Sequence, residues 1–363
     1  MVLLLLLFVS IVPAFAQDKG WEAEWKQTLA AAKREGRVVV VGSPDPVMRR
    51  EVIPKFTSRY GIPVEFVAGR SGEIAARLRT EQQAGIYAVD VFMVGIGTLT
   101  RTLYPEKMLQ PIKPLLVLPE VVDPSKWKNG KLWFVDPEER YVLRVFNRVG
   151  GFLFINTDYV KPEEFRSAKD LLNPKFRGKV STDDPTVAGT GLNQAGEFLL
   201  AFGEEFVKRF YVDQKLGMTR DRRQMSDWLA RGTYPICLSC REDDLESLRK
   251  AGFNIAELYH LADIGGRIGG SPWWLAVPNK TPNPNAMKVF VNWIASQEGL
   301  ETYSRGYGNP TLRTDVDESF IGPESIPRRG VRYFDSHDWN WVLSGREEAN
   351  QKAQKLIKPL LGR

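Results

Sequence analysis

Four valines in a row, Val38-Val39-Val40-Val41, ending at Gly42-Ser43-Pro44, constrain this chain more than any other feature. A continuous β-branched run has no polar face, so it belongs to a strand covered on both sides, as in a parallel sheet. It follows a helical stretch over 21–33 and a turn at Gly36. A helix over 47–60 then leads to a strand over 64–67, which ends in Ala68-Gly69-Arg70-Ser71-Gly72. Next, a helix over 73–83, with Ile74 and Leu78 on one face, leads to a strand over 89–94 that ends in Gly95-Ile96-Gly97. This β-α-β-α-β succession predicts a parallel sheet with right-handed crossovers. Ligands of such sheets bind beyond the carboxyl ends of the strands. Tight βα turns favour Gly and Ser on their own account, but three small, polar loops in succession point to a shared site.

A second α/β stretch opens with a strand at Gly151-Phe152-Leu153-Phe154-Ile155-Asn156. Within it, VSTDDPTVAGTGLNQAGEFLLAFG (180–203) runs from a short strand through Asp183-Asp184 and Gly189-Thr190-Gly191 into a helix. Leu192, Ala195, Gly196, Leu199 and Leu200 make one apolar stripe along that helix. The polar piece therefore sits at the helix N-terminus, where N–H groups lack partners and the dipole is positive. Such an end either caps itself or holds an anion or ligand oxygen. Helices over 204–211, 221–230 and 242–250 and strands over 234–238 and 255–258 complete the stretch. The glycine-rich 265–270 breaks the pattern, and 273–278 reads as a strand returning to the first stretch. Only one of Trp273 and Trp274 can face a cleft from an alternating strand, and we assign Trp273. A helix carrying Met287, Phe290, Val291 and Ile294 follows, and an amphipathic helix over 347–361 ends the chain.

Residues 1–16, MVLLLLLFVSIVPAFA, read as a secretory signal segment with an Ala14-Phe15-Ala16 cleavage pattern. It is too short to span a bilayer, and the lack of a basic residue before the apolar run leaves an upstream start open. The rest of the 363-residue chain exceeds a comfortable single core and suggests two domains. A net charge of +6, spread without a basic block, argues against nucleic-acid binding. Gly189-Thr190-Gly191 begins like a dinucleotide fingerprint, but Gln194 stands where its third glycine belongs, so no cofactor is expected. Cys237-Leu238-Ser239-Cys240 has redox spacing, yet its first cysteine lies in a strand and not at a helix start. On one continuous strand the two thiols would face opposite sides; if the strand ends between them, a disulfide becomes possible. His260 and His337 lack metal-ligand spacing.

Taken in order, several phrases resemble the extracellular solute-binding proteins of ABC importers, in the branch that includes iron(III)-, thiamine-, polyamine- and phosphonate-binding members. They are 37–41, Gly69-Arg70-Ser71-Gly72-Glu73, Gly151 to Thr157, Lys175-Phe176-Arg177-Gly178-Lys179-Val180, 274–278 and the helix over 286–299. The resemblance implies an α/β, two-lobed type 2 periplasmic binding fold. Lobe 1 is expected over 17–155 and 265–363, lobe 2 over 156–264, with the ligand in the cleft between them. It further implies a periplasmic monomer that docks on an inner-membrane permease. The expected ligand-binding residues are Ser43, Pro44, Arg70, Ser71, Gly72, Gly97, Asp184, Thr190, Gly191, Ser239, Cys240, Ser271 and Trp273, with no catalytic or metal-binding residue. Iron-binding members use adjacent tyrosines where this chain has Leu238-Ser239-Cys240, so an anionic or oxygen-rich organic ligand is the leading expectation. Three alternatives stand beside it: ferric ion in a non-tyrosine site, a fold-related enzyme with Cys240 as nucleophile, and a lobe feeding a sensor kinase.

Overall fold

A computed structural model describes residues 20–362 apart from 70, 241, 265, 270 and 332, so the expected signal segment and Arg70 lie outside the described residues. Val38–Gly42 is buried at every position and lies between Val64–Ala68 and Val91–Val94, parallel to both. Trp274–Pro278 returns antiparallel to Val91–Val94, and Leu109–Gln110 closes the five-stranded sheet at its edge. The valine run places Val38 and Val40 in a core with Phe56, Phe290 and Trp293, and Val41 in a second core with Phe92 and Trp274. That two-sided burial is what an unbroken apolar strand demands.

The second five-stranded sheet runs Ile255–Leu258, Leu153–Asn156, Ile236–Cys237, Val180–Thr182, Gly217–Met218. Leu153–Asn156 is antiparallel to both neighbours, while Val180–Thr182 is parallel to both of its own. Its core gathers Phe152, Ile155, Phe198, Phe206 and Phe210. The helix Thr190–Lys208 contains a break at Gly203, where φ is +81°.

A third sheet, Phe334–Asp335, Arg267–Gly269 and Arg148–Gly150, joins the two halves, making an α/β fold of two lobes. The Phe334–Asp335 crossing was not expected, because a two-residue strand carries no readable periodicity. After it comes the helix Arg346–Leu360, expected with lobe 1. It places Ala349 in the core behind the first sheet, and Ala353 and Ile357 in the core of the second. The helix lies along Thr190–Lys208 at Gly196, where a Cβ would stand 3.2 Å from the Ala349 backbone. Gln354 Nε2 donates to the Thr186 carbonyl at 2.6 Å, tying the same helix to the loop before Thr190.

Candidate functional site

Gly42 ends the first strand where a Cβ would meet the Met93 carbonyl oxygen at 2.8 Å, so only glycine lets these strands lie side by side here. Asp45 then caps the next turn: its Oδ1 accepts from the Val47 N–H at 2.8 Å and the Met48 N–H at 3.1 Å. Its Oδ2 accepts the Tyr303 hydroxyl. The chain so fixed borders a pocket of about 130 Å³ lined by Ser43, Pro44, Phe66, Met93, Trp273 and Tyr307, among others. Trp273 forms one wall, held edge-on to Phe146 at 5.3 Å and to Tyr303 at 5.2 Å. Ser271 Oγ donates to the Trp273 carbonyl at 2.6 Å and fixes the approach to the strand. Trp274 turns to the other face, where its ring meets His337 at 4.7 Å.

Burial, then the hydrogen bond to Asp45, pushes the Tyr303 phenol up from its ordinary value. Tyr307 is raised by burial and by Asp45, with Arg148 pulling the other way. Burial thus favours the protonated form of both phenols beside the pocket. The Ser43 hydroxyl lines the pocket and makes no hydrogen bond to the described residues.

The other first-sheet candidates follow neighbouring strands and are not among the pocket's lining residues. Ser71 and Gly72 open the helix Ser71–Gln83 after Val64–Ala68. Gly97 lies in the turn Ile96–Thr98 after Val91–Val94, and a Cβ there would stand 2.8 Å from the Arg101 guanidinium. Asp45, Tyr303 and Tyr307 were missed. Asp45 two residues before Val47 carried a readable cap signal, and the i, i+4 tyrosines marked one helix face.

Across the crossing sheet, Val180–Thr182 ends at the two acids. Asp183 Oδ2 accepts from the Gly191 N–H at 3.3 Å, and Asp183 Oδ1 accepts from the Asp184 N–H at 3.0 Å. Asp184 accepts both the Thr186 N–H at 2.9 Å and its hydroxyl at 2.7 Å. Of the two uses open to this helix start, self-capping is the one seen, and a ligand oxygen would have to exchange with the long Gly191 bond. Gly191 itself admits no side chain, since a Cβ would lie 2.1 Å from the Asp183 carbonyl oxygen. Thr190 is exposed, with no hydrogen bond from its hydroxyl to the described residues.

Ser239 is buried, with its hydroxyl 3.0 Å from that of Thr182 and 3.4 Å from Gln194 Oε1. Cys240 is disulfide-bonded to Cys237, with Cα atoms 5.8 Å apart. The strand is only Ile236–Cys237, so the chain bends at once and brings the sulfurs together. A disulfide sulfur offers no thiolate. Between the halves, Glu197 on the Thr190–Lys208 helix accepts from Arg267 Nε at 2.6 Å and Nη2 at 2.5 Å.

A family profile described as bacterial extracellular solute-binding protein matches residues 51–326. An uncharacterized protein of Haemophilus influenzae is 24% identical over 287 residues, covering 75% of this chain and 76% of its own length. Iron uptake protein A1 of Synechocystis sp. is 25% identical over 167 residues, 44% of this chain and 43% of that protein. Trichodesmium FutA in complex with iron and citrate superposes with a TM-score of 0.62 at 18% identity, over 90% of this chain and 99% of that one. AfuA of Actinobacillus pleuropneumoniae, with fructose-6-phosphate bound, gives 0.56 at 18% identity over 89% and 99%. At these identities the superpositions speak to the fold alone, that of periplasmic binding proteins. With one profile spanning more than half of the chain, it belongs to the bacterial extracellular solute-binding proteins.

Proposed function

We propose that this protein, exported to the periplasm, captures one small hydroxylated organic anion between its two five-stranded sheets. It delivers that ligand unchanged to an ABC-type permease and acts as a monomer. The first lobe would comprise 20–150 and 267–333. The second would comprise 151–264 together with the C-terminal helix, which shares its core.

The observation that carries this reading is a pair of uncommitted hydroxyls at strand ends, Ser43 beside the first-sheet pocket and Thr190 at the second-lobe helix start. Each Asp183 oxygen has taken one N–H and keeps a further lone pair for a ligand hydroxyl. Trp273 and Phe66 supply apolar walls. The sugar phosphate named for AfuA is a ligand of this chemical class.

Ferric ion is the second reading, favoured by the iron-bound fold neighbours. Phenolate ligands for it would need Tyr303 or Tyr307 deprotonated, and burial beside Asp45 works against that. Catalysis by Cys240 would need the disulfide to Cys237 opened first.

A thermal-shift screen of the mature protein against sugar phosphates, carboxylates, phosphonates, polyamines and ferric salts decides between them. A ligand at a hundred times its Kd stabilises by about 2.7 kcal/mol, so the expected result is a clear rise with a hydroxylated anion. A rise with ferric salts alone would overturn the reading.

A further inference from the structure

A second cavity, of about 480 Å³, lies against the crossing sheet and shares no lining residue with the Ser43–Trp273 pocket. One crossing strand supplies part of its wall, and residues just before the other two supply more. Asn147 precedes Arg148–Gly150, Ile268 lies within Arg267–Gly269, and Tyr333 precedes Phe334–Asp335. The volume falls in the range of small-molecule sites, about 300–1,000 Å³.

Charge decides what fits. Lys128, Arg328 and Arg329 line the cavity, and among the described residues no Asp or Glu does. Lys128 is matched by Glu318 at 2.8 Å. Arg328 and Arg329, both exposed, make no ion pair among the described residues, so neither charge is neutralised there. The loop that carries them is held in place. Arg328 donates its backbone N–H to the Tyr333 hydroxyl at 2.8 Å, and Gly330 takes the left-handed φ of +80° that the turn requires. The facing wall is fixed too, since Trp133 Nε1 donates to the Lys128 carbonyl at 2.8 Å.

We propose that this hinge-side cavity is a second binding site, for a small polyanion bearing phosphate or carboxylate groups. The two guanidinium groups take the oxyanion in their fork geometry, and the rings of Trp133 and Tyr333 bound the rest of the ligand. The site is independent of the cleft, so either can fail alone.

Titration calorimetry on the mature protein, with pyrophosphate and citrate as separate probes, tests it. The panel is wild type, R328A/R329A, R328K/R329K and the cleft variant T190V, each checked by thermal melting. Binding of either probe that R328A/R329A weakens and T190V leaves intact supports the site, and the probe that binds in this way identifies the group. Losing charged hydrogen bonds should weaken binding at least about tenfold in R328A/R329A. The loss should be smaller in R328K/R329K, which keeps the charge and should fold if the alanine pair does not, and absent in T190V. Failure of wild type to bind either probe would overturn the proposal. So would unchanged affinity in R328A/R329A, or a loss confined to T190V.

Discussion

The carboxyl edges of the two large sheets are built on opposite plans. At the first, Asp45, Tyr303 and Trp273 brace one another and leave an open pocket with a free hydroxyl at Ser43. At the second, most polar groups are spent on each other, Asp183 on Gly191, Asp184 on Thr186, Ser239 on Thr182 and Gln194, and the Thr190 hydroxyl is left over. An edge braced from behind can receive a ligand without rearranging, which lowers the ordering cost of binding. An edge that largely satisfies itself has only Thr190 and spare Asp183 lone pairs to offer unless it exchanges bonds. The first half should therefore carry encounter and the second should close upon it, with selectivity set by whether the ligand repays the exchanged bonds.

The joint between the halves offers the largest way to break this picture. Glu197→Ala leaves Arg267, mostly buried at the crossing, without its carboxylate. Removing one member of such a pair should cost about 3–4 kcal/mol in denaturant unfolding. A change below 1 kcal/mol would mean that the helix Thr190–Lys208 is not coupled to the crossing sheet through this contact.

Acid probes the same joint from the side of the first sheet. His337 packs on Trp274, and burial, with Arg144 beside it, lowers its pKa to about 4. The unfolded chain takes up that proton near pH 6.5, before the folded one does. The neutral ring's contribution is therefore complete above about pH 6.5 and is lost as pH falls from there to about 4. Wild type should lose about 3 kcal/mol more than His337→Gln over that interval, measured by urea unfolding at each pH. Parallel curves would show that the ring protonates freely in the fold.

The two aspartates sharpen the contrast directly. Asp45→Ala removes a cap on two N–H groups and the partner of Tyr303, for about 2–3 kcal/mol. Asp183→Ala removes two longer bonds, of 3.0 and 3.3 Å, for about 1 kcal/mol. The reverse order in thermal unfolding would assign the bracing to the wrong edge.

Much of this was legible in the sequence, and the limits are physical. The valine run announced a sheet buried on both faces because four apolar side chains in a row leave no polar face. The alternation of Trp273 and Trp274 also followed from strand geometry, and the two rings lie in different cores. What escaped was non-local. Tyr303 meets Asp45 across more than 250 residues, and nothing in either local pattern announces the other. The Arg346–Leu360 helix shows an apolar stripe, but amphipathicity does not say which core the stripe will enter. The Cys237–Cys240 pairing depended on where a two-residue strand stops, and element boundaries are what periodicity resolves least well.

One ligand held by both edges is the central claim, and paired single substitutions test it most directly. With the ligand found by thermal shift, affinity would be measured by calorimetry for Ser43→Ala on the first edge and Thr190→Val on the second. Neither hydroxyl bonds within the described protein, so stability should not change. Each substitution should weaken binding about tenfold, the effect of losing one hydrogen bond to a charged group. If one weakens binding and the other leaves it untouched, the ligand rests on a single edge and the two sheets do not share it.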